Sequence, residues 1–144
     1  MIRQIHIQNY KALRDVTLDL TPFHVLIGPN DSGKTSILEA VAALCRSVDQ
    51  PPERWFMSGW YGSDLVWHGA DPQGPIQLSG TVAELDEGSS EVGVYELMCK
   101  FDPGSRTIRA QSKVVPPGGN SVDLPNAPGT MMFTPFGGPA IQWA

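Results

Sequence analysis

The segment GPNDSGKTS, residues 28–36, combines the residue types that hold a polyphosphate. Gly28, Gly33, Lys34 and Thr35 occupy the fixed positions of the pattern G-x-x-x-x-G-K-[ST]. Glycines let the backbone turn tightly and bring N–H groups close to phosphate oxygens, while a lysine supplies a point charge and a hydroxyl can ligate Mg²⁺. We therefore predict a nucleotide–Mg²⁺ site with Thr35 as the metal ligand. The predicted binding residues are Gly28, Pro29, Asn30, Asp31, Ser32, Gly33, Lys34, Thr35 and Ser36.

The elements on either side of this loop have the pattern that a phosphate-binding loop needs. Residues 23–27, FHVLI, form a short, nearly continuous apolar run, which predicts a strand covered on both faces. After the loop, apolar residues recur at offsets of three and four, which predicts an amphipathic helix from Lys34 to Val48 that ends before Pro51-Pro52. Before the loop, alternating apolar residues predict two half-buried strands joined by a turn at residues 9–14.

The rest of the chain predicts an antiparallel meander. Three strand-like runs, residues 75–85, 91–101 and 106–115, are separated by Gly-, Asp- and Pro-containing turns. Between the helix and this meander, only a short helix or strand near Asp64–His68 is indicated. The predicted fold is α/β with α+β character, in one incomplete domain. It has a strand–P-loop–helix core (1–50), the meander (76–115) and a Pro/Gly-rich tail (116–144).

Two stretches together resemble the ATPase heads of the SMC, RecF and OLD group, the ABC-type branch of P-loop ATPases. They are GPNDSGKTSILEAV and the N-terminal pattern I-x-N-Y-K-x-L-x-D-V-x-L-x-L. The resemblance implies a P-loop NTPase half-domain that binds ATP with Mg²⁺. It makes Lys11, in the Asn-Tyr-Lys turn, a second phosphate contact, although a solvated lysine is the alternative. Asp31 stands where many members of the group have Gly, and we expect it to be tolerated because the site uses its backbone N–H.

Hydrolysis needs a further carboxylate site. In the resembled group this is an acidic strand end, preceded by an LSGG signature that opens a helix. Similar residues occur here, at Leu78-Ser79-Gly80 for the signature and at Asp86-Glu87 for the acidic strand end. Only five residues separate these two motifs, however, and a helix of that length spans about 7.5 Å. We therefore predict one continuous strand over 76–85. Gln73 and Gln142 are candidates for the γ-phosphate-sensing glutamine by chain order alone.

On this interpretation the chain is the N-terminal, ATP-binding lobe of such an ATPase. Hydrolysis would require a C-terminal half or second subunit that carries the signature and acidic motifs, so the isolated chain is expected to be inactive. Uncovered sheet edges would make it weakly stable or self-associating, and the complete system is expected to self-associate or form an ATP-dependent dimer. The alternatives are a non-catalytic nucleotide-sensing or interaction module and a small P-loop kinase. The kinase would need a lid with arginines, and no basic cluster follows the helix.

Other residues that could do chemistry do not form a recognisable set. The histidines are scattered, and His24 is expected to be packed. Cys45 and Cys99 lack metal-ligand spacing and are predicted to be buried free thiols. Three tryptophans could offer a stacking surface to nucleic-acid bases, but a core or partner interface is favoured because only Arg54 lies among them. These are Trp55, Trp60 and Trp67.

Composition limits the possible partners. Of the 144 residues, 41% are hydrophobic and 17% charged, which is typical of a globular domain. The net charge is −5, with five Lys/Arg against four Asp/Glu in residues 1–46 and five against eleven in residues 47–144. DNA is possible as a partner, but the charge on this chain would not drive its binding. The sequence shows no signal peptide and no membrane span, so we expect a cytoplasmic protein without a membrane partner.

Overall fold

A computed structural model describes residues 1–51, 54–56, 62–71, 74–83, 91–101, 108–116 and 120–124. In this part of the chain six strands form one sheet against which one α-helix packs. The elements are β1 (Ile2–Tyr10), β2 (Leu13–Asp19), α1 (Lys34–Arg46), a 3₁₀ turn (Gly62–Leu65), β3 (Ile76–Ala83), β4 (Glu91–Phe101), β5 (Ile108–Val115) and β6 (Val122–Leu124).

The sheet has the strand order β2-β1-β3-β4-β5-β6, and every neighbouring pair is antiparallel. The predicted meander over β3, β4 and β5 is therefore confirmed. β1 lies between β2 and β3, so the strands before the loop and the meander after it share one sheet. β6 lies within residues 116–144, where the sequence predicted no strand.

Helix α1 packs on one face of this sheet and forms the core with it. Ala40, Ala43 and Leu44 are its buried apolar residues. Gly80 permits the close approach, because a Cβ built there would lie 2.9 Å from Leu44 Cδ2. The buried apolar residues contributed by the sheet are Ile5, Ile7, Tyr10, Leu13, Ile76, Leu78, Leu97 and Cys99.

The predicted strand at residues 23–27 is absent from the structure. No residue from 23 to 27 has strand conformation, and the side chains of Phe23, Val25 and Ile27 are 83%, 58% and 90% exposed. A strand needs a neighbour to accept and donate its backbone hydrogen bonds, and none of the described strands pairs with this segment. His24, expected to be packed, is exposed for the same reason. The prediction of a strand covered on both faces is wrong for the described residues.

Two other sequence predictions can be compared with the structure. Leu78-Ser79-Gly80 lies inside β3, paired with β1 and β4, so it does not open a helix. This confirms the rejection of the apparent signature. The 3₁₀ turn at Gly62–Leu65 and an isolated bridge between Val66 and Tyr10 account for the short element near Asp64–His68. Gln73, Asp86, Glu87, Gln142 and Trp60 lie outside the described residues.

Candidate functional site

The loop at residues 28–33 is turned by two left-handed residues. Asp31 has φ of 62° and Gly33 has φ of 86°, and Gly33 is also the N-terminal cap of α1. Alternation of left-handed and ordinary residues directs successive backbone N–H groups to one side, which makes a concave site for an anion. The first intrahelical bond runs from Ile37 N to Gly33 O at 3.0 Å. The N–H groups of residues 34–36 therefore point out of the helix toward the loop.

The ammonium group of Lys34 lies inside this loop. Its Nζ donates to Gly28 O at 2.9 Å and Ser32 Oγ at 3.2 Å, and it also donates to Pro29 O. The positive charge is thus held among the same residues whose N–H groups favour an anion. These contacts are with neutral oxygens, so a bound phosphate could replace them with charge-assisted hydrogen bonds.

The two hydroxyl residues after Lys34 differ in exposure. Thr35 is exposed, whereas Ser36 is buried. An exposed hydroxyl in the first turn of the helix can ligate a hydrated Mg²⁺ next to bound phosphates, because Mg²⁺ retains several waters and takes few protein ligands. The residues present therefore fit the predicted metal role of Thr35. The described residues contain no group of three or more His, Cys, Asp or Glu that could hold a metal ion by themselves.

The turn between β1 and β2 lies directly against the loop. A Cβ built on Gly33 would lie 3.0 Å from Leu13 Cδ2 and 3.8 Å from Ala12 Cβ. The turn is formed by two residues with positive φ, Asn9 at 62° and Lys11 at 47°. On its other side it is hydrogen-bonded to residues 65–67, from Lys11 N to Leu65 O at 2.9 Å and from Trp67 N to Asn9 O at 3.2 Å. Residues distant in sequence thus meet around the β1–β2 turn.

Lys11 forms a buried ion pair with Glu39 of α1. The two side chains are only 12% and 13% exposed, and Lys11 Nζ contacts Glu39 Oε2. Lys11 is therefore not a solvated lysine, and a phosphate contact would require it to leave Glu39. The Tyr10 hydroxyl donates to the same carboxylate at 3.5 Å. Burial, and next the negative charge of Glu39, raise the pKa of Tyr10.

The tryptophans do not form one stacking surface in the described residues. Trp55 is buried, and its indole N–H donates to Gln50 O at 2.7 Å, so it belongs to the core. Trp67 is half-buried beside the β1–β2 turn, and the guanidinium carbon of Arg14 lies 5.5 Å from the centre of its ring. Sequence reasoning missed this pairing, since 53 positions separate the two residues. It also missed Glu39, because nothing in the local sequence indicates its contact with Lys11.

The remaining candidates lie away from the loop. His6 lies on the outer face of the sheet, where its Nε2 is 2.7 Å from Asp15 Oδ1. Cys99 is buried as predicted, and burial raises the pKa of its thiol to about 12. Cys45 is exposed on α1, so its predicted burial is wrong. Among the described residues no helix has the length and apolar character to cross a membrane.

Comparisons with known proteins identify the family of this chain. The sequence profile of the AAA ATPase domain family matches residues 1–98. An OLD nuclease from Thermus scotoductus (strain ATCC 700910 / SA-01) is 39% identical over 48 residues, which make up 33% of this chain and 9% of that nuclease. The chain therefore spans only a small part of the length of this relative.

The fold is also similar to that of a solved SMC ATPase, whose study describes ATP-driven dimerization and DNA-stimulated activation of SMC ATPases. The superposition has a TM-score of 0.55 at 18% identity and covers 84% of this chain and 71% of the other. At this identity the likeness concerns the fold alone. The profile match covers more than half of the chain, from β1 through most of β4. The chain thus belongs to the AAA ATPase domain family and has an SMC/OLD-like P-loop ATPase fold.

Proposed function

We propose that residues 28–36 bind ATP with Mg²⁺, as the N-terminal lobe of an SMC/RecF/OLD-like ATPase. One observation carries this proposal: the left-handed residues Asp31 and Gly33 turn the loop into the N-terminus of α1, with the Lys34 ammonium inside it. The free N–H groups, the helix dipole and the ammonium all present positive charge at one place. This combination favours a polyphosphate over a neutral ligand.

Each residue then has a definite role. Backbone N–H groups of the loop residues Asn30, Asp31, Ser32 and Gly33 would donate to phosphate oxygens. Gly28 and Pro29 would shape the start of the loop, since Pro29 has no N–H to donate. Lys34 would exchange its contacts with loop carbonyls for the β- and γ-phosphates, Thr35 would ligate Mg²⁺, and Ser36 would donate to the α-phosphate. Mg²⁺, when bound, neutralises charge on the β- and γ-phosphates. Lys11 would add a contact only if it left Glu39.

Hydrolysis is proposed to require a second ATPase half that supplies the signature and the acidic strand. Two observations support this. The described residues contain no group of three or more His, Cys, Asp or Glu that could hold a metal ion. The apolar side chains of Phe23, Val25 and Ile27, directly before the loop, are exposed and would be covered by a strand from such a half. The chain would then be one incomplete domain with its core, meander and tail as predicted.

The partners follow from the same proposal. The study of the similar SMC ATPase describes ATP-driven dimerization and DNA-stimulated activation of SMC ATPases. By analogy, we propose that the complete protein forms an ATP-dependent dimer. DNA remains a proposed partner of that assembly, although the net charge of −5 means that this chain would contribute little to binding it. We also propose that the complete protein is cytoplasmic.

The test is calorimetric titration of the 144-residue chain with ATP and Mg²⁺, beside Lys34→Ala, with phosphate release assayed in the same samples. We expect binding by the wild type, at least tenfold weaker binding by the variant, and release by neither. Arg3→Ala is the matched control, because it removes one positive charge at the other end of β1, away from the loop. Equal binding by all three proteins would overturn the assignment of the loop.

The same samples distinguish the proposed ATPase lobe from a second candidate function, a non-catalytic nucleotide-sensing or interaction module. The absence of a group of three or more metal-binding side chains in the described residues is compatible with both functions, so the phosphate-release assay decides between them. Lys34-dependent phosphate release by the chain alone would exclude such a module and would also show that no second half is required. Binding without release would leave addition of the second half as the deciding experiment.

A further inference from the structure

Strand β2 forms one edge of the six-stranded sheet, and among the strands that the structure describes only β1 pairs with it. The backbone N–H of Leu20, directly after β2, donates to Arg3 O of β1 at 2.6 Å. In an antiparallel pair, residues that exchange backbone hydrogen bonds with the partner strand alternate with residues whose N–H and C=O groups point away from it. Counted back from Leu20, the residues that point away from β1 are Asp15, Thr17 and Asp19. Their backbone donors and acceptors form a row along the free edge.

The side chains of β2 divide between the two faces of the sheet. Val16 and Leu18 are half-buried and pack against the core, so the inner face of this edge is apolar and incompletely covered. Asp15, Thr17 and Asp19 are exposed on the outer face. A strand added beside β2 would therefore extend the apolar layer on one face and meet two carboxylates on the other.

Hydrogen bonds from β1 hold these two carboxylates along the edge. Asp15 Oδ1 lies 2.7 Å from His6 Nε2, and Asp15 Oδ2 accepts from Gln8 at 3.3 Å. Gln4 donates to Asp19 Oδ1 at 2.7 Å. The side chain of Asp15 is still 56% exposed. Since an ionised carboxylate has about four acceptor positions, each can accept a further hydrogen bond from the side of the free edge.

A second copy of this chain does not fit the edge well. When two β2 strands pair antiparallel about Thr17, Asp15 of each copy lies opposite Asp19 of the other. Like charges directly opposite one another destabilise a strand pair, whereas opposite charges stabilise it. Charge therefore favours a partner strand with lysine or arginine at these positions over a second β2.

We propose that the free edge of β2 is the docking site for a strand of a partner protein in which lysine or arginine alternates with aliphatic residues. The aliphatic side chains would pack on Val16 and Leu18. The cations would lie opposite Asp15 and Asp19, and the backbone of the partner would continue the hydrogen-bonded sheet. This site goes beyond the proposed function, because it adds a protein partner and does not depend on nucleotide binding.

The test is calorimetric titration of the 144-residue chain with a short capped peptide of alternating lysine and valine. One control peptide is N-methylated at every lysine, which keeps the charge and removes the N–H groups that would face β2. A second control has glutamate in place of lysine. We expect binding of the lysine–valine peptide alone. Its failure to bind at about 1 mM would overturn the proposal. Equal binding of the N-methylated peptide would also overturn it, because the net charge of −5 would then suffice to attract the peptide.

Variants of the chain locate the binding edge. Proline in Thr17→Pro removes an N–H that points away from β1, so it blocks strand addition without removing a hydrogen bond of the sheet, and peptide binding should be lost. Asp15→Asn/Asp19→Asn should weaken binding roughly threefold to tenfold. The matched control Asp49→Asn/Asp123→Asn removes two negative charges from exposed positions outside β2 and should bind like the wild type.

Thermal melting shows which of these variants fold. A folded Thr17→Pro protein that binds the peptide like the wild type would overturn the assignment of the edge. If that variant does not fold, the two asparagine double variants decide, because each retains the size of exposed side chains. Equal affinities of the two double variants would then overturn the proposal.

Discussion

At the scale of single residues, Asp31 is the unusual member of the phosphate loop. Its φ of 62° places it in the left-handed region, where a side chain costs free energy and Gly does not. The structure thus gives a physical reason why many proteins of the SMC, RecF and OLD group have Gly at this position. Asp is among the better tolerated residues there, because its short polar side chain can hydrogen-bond locally.

We predict that Asp31→Gly binds Mg·ATP about two- to tenfold more tightly than the wild type. The change removes a negative charge near the phosphates and relieves the backbone, while the conformational freedom of Gly in the unfolded chain limits the gain in folding stability. Calorimetry measures the affinity. Asp31→Asn separates the causes, because it removes the charge and retains a side chain that tolerates positive φ. Weaker binding by both variants would show that the carboxylate assists binding.

At the scale of elements, the contact of Lys11 with Glu39 joins the β1–β2 turn to helix α1. Both side chains are close to nine-tenths buried, so the two charges compensate each other away from most of the solvent. The Tyr10 hydroxyl also donates to Glu39, and the Lys11 ammonium lies 5.6 Å from the centre of the Tyr10 ring. Glu39 lies five residues after Lys34, so the pair links the β1–β2 turn to the helix that follows the phosphate loop.

Lys11→Met is predicted to lower the free energy of unfolding by about 3–5 kcal/mol, because it leaves the Glu39 carboxylate buried without its positively charged partner. The double variant Lys11→Met/Glu39→Leu should recover most of the loss, since it removes both charges. Urea denaturation measures the free energy of unfolding of the single and the double variant. Lys113→Met is the matched control: its partner Glu96 lies 2.7 Å away, but both side chains are 40% exposed and the effect should be small. A Lys11→Met protein as stable as this control would contradict the prediction.

At the scale of the whole molecule, the described residues form a core between α1 and the inner face of the sheet. Cys99 and Tyr10 are buried in this core and Tyr95 packs against it, and all three are neutral groups at pH 7. Burial raises the pKa of Cys99 from 9.0 to about 12, and it also raises the pKa of Tyr10 and of Tyr95. In each case the unfolded chain loses its proton at a lower pH than the folded protein does. Alkaline pH therefore favours unfolding.

We predict that the free energy of unfolding falls as the pH rises above about 9, by up to about 1.4 kcal/mol per pH unit for Cys99 alone. The contribution of Cys99 is fully present below pH 9.0 and is lost as the pH approaches 12. Denaturant titrations from pH 7 to 10 measure the slope. Cys99→Ala should flatten it, whereas Cys45→Ala, at an exposed thiol, should change it less. Equal slopes in all three proteins would contradict the conclusion that Cys99 causes this pH dependence of stability.

The sequence by itself determined the features that depend on local spacing. The glycines, Lys34 and Thr35 identify the loop, because the chemistry of phosphate binding fixes their distances along the chain. Apolar periods of two and of three to four identify β1 to β5 and α1 to within a few residues, since each period follows from the geometry of a single element. These features were sufficient for the family and the fold class.

Only the tertiary structure decided which residues distant in sequence contact one another. The Lys11–Glu39 pair joins positions 28 apart, and Arg14 meets Trp67 across 53 positions, so no local pattern could indicate either contact. The apolar segment at residues 23–27 illustrates the converse: its composition is typical of a buried strand, yet Phe23 and Ile27 are exposed. The reason is physical, because a strand exists only where a neighbour completes its backbone hydrogen bonds.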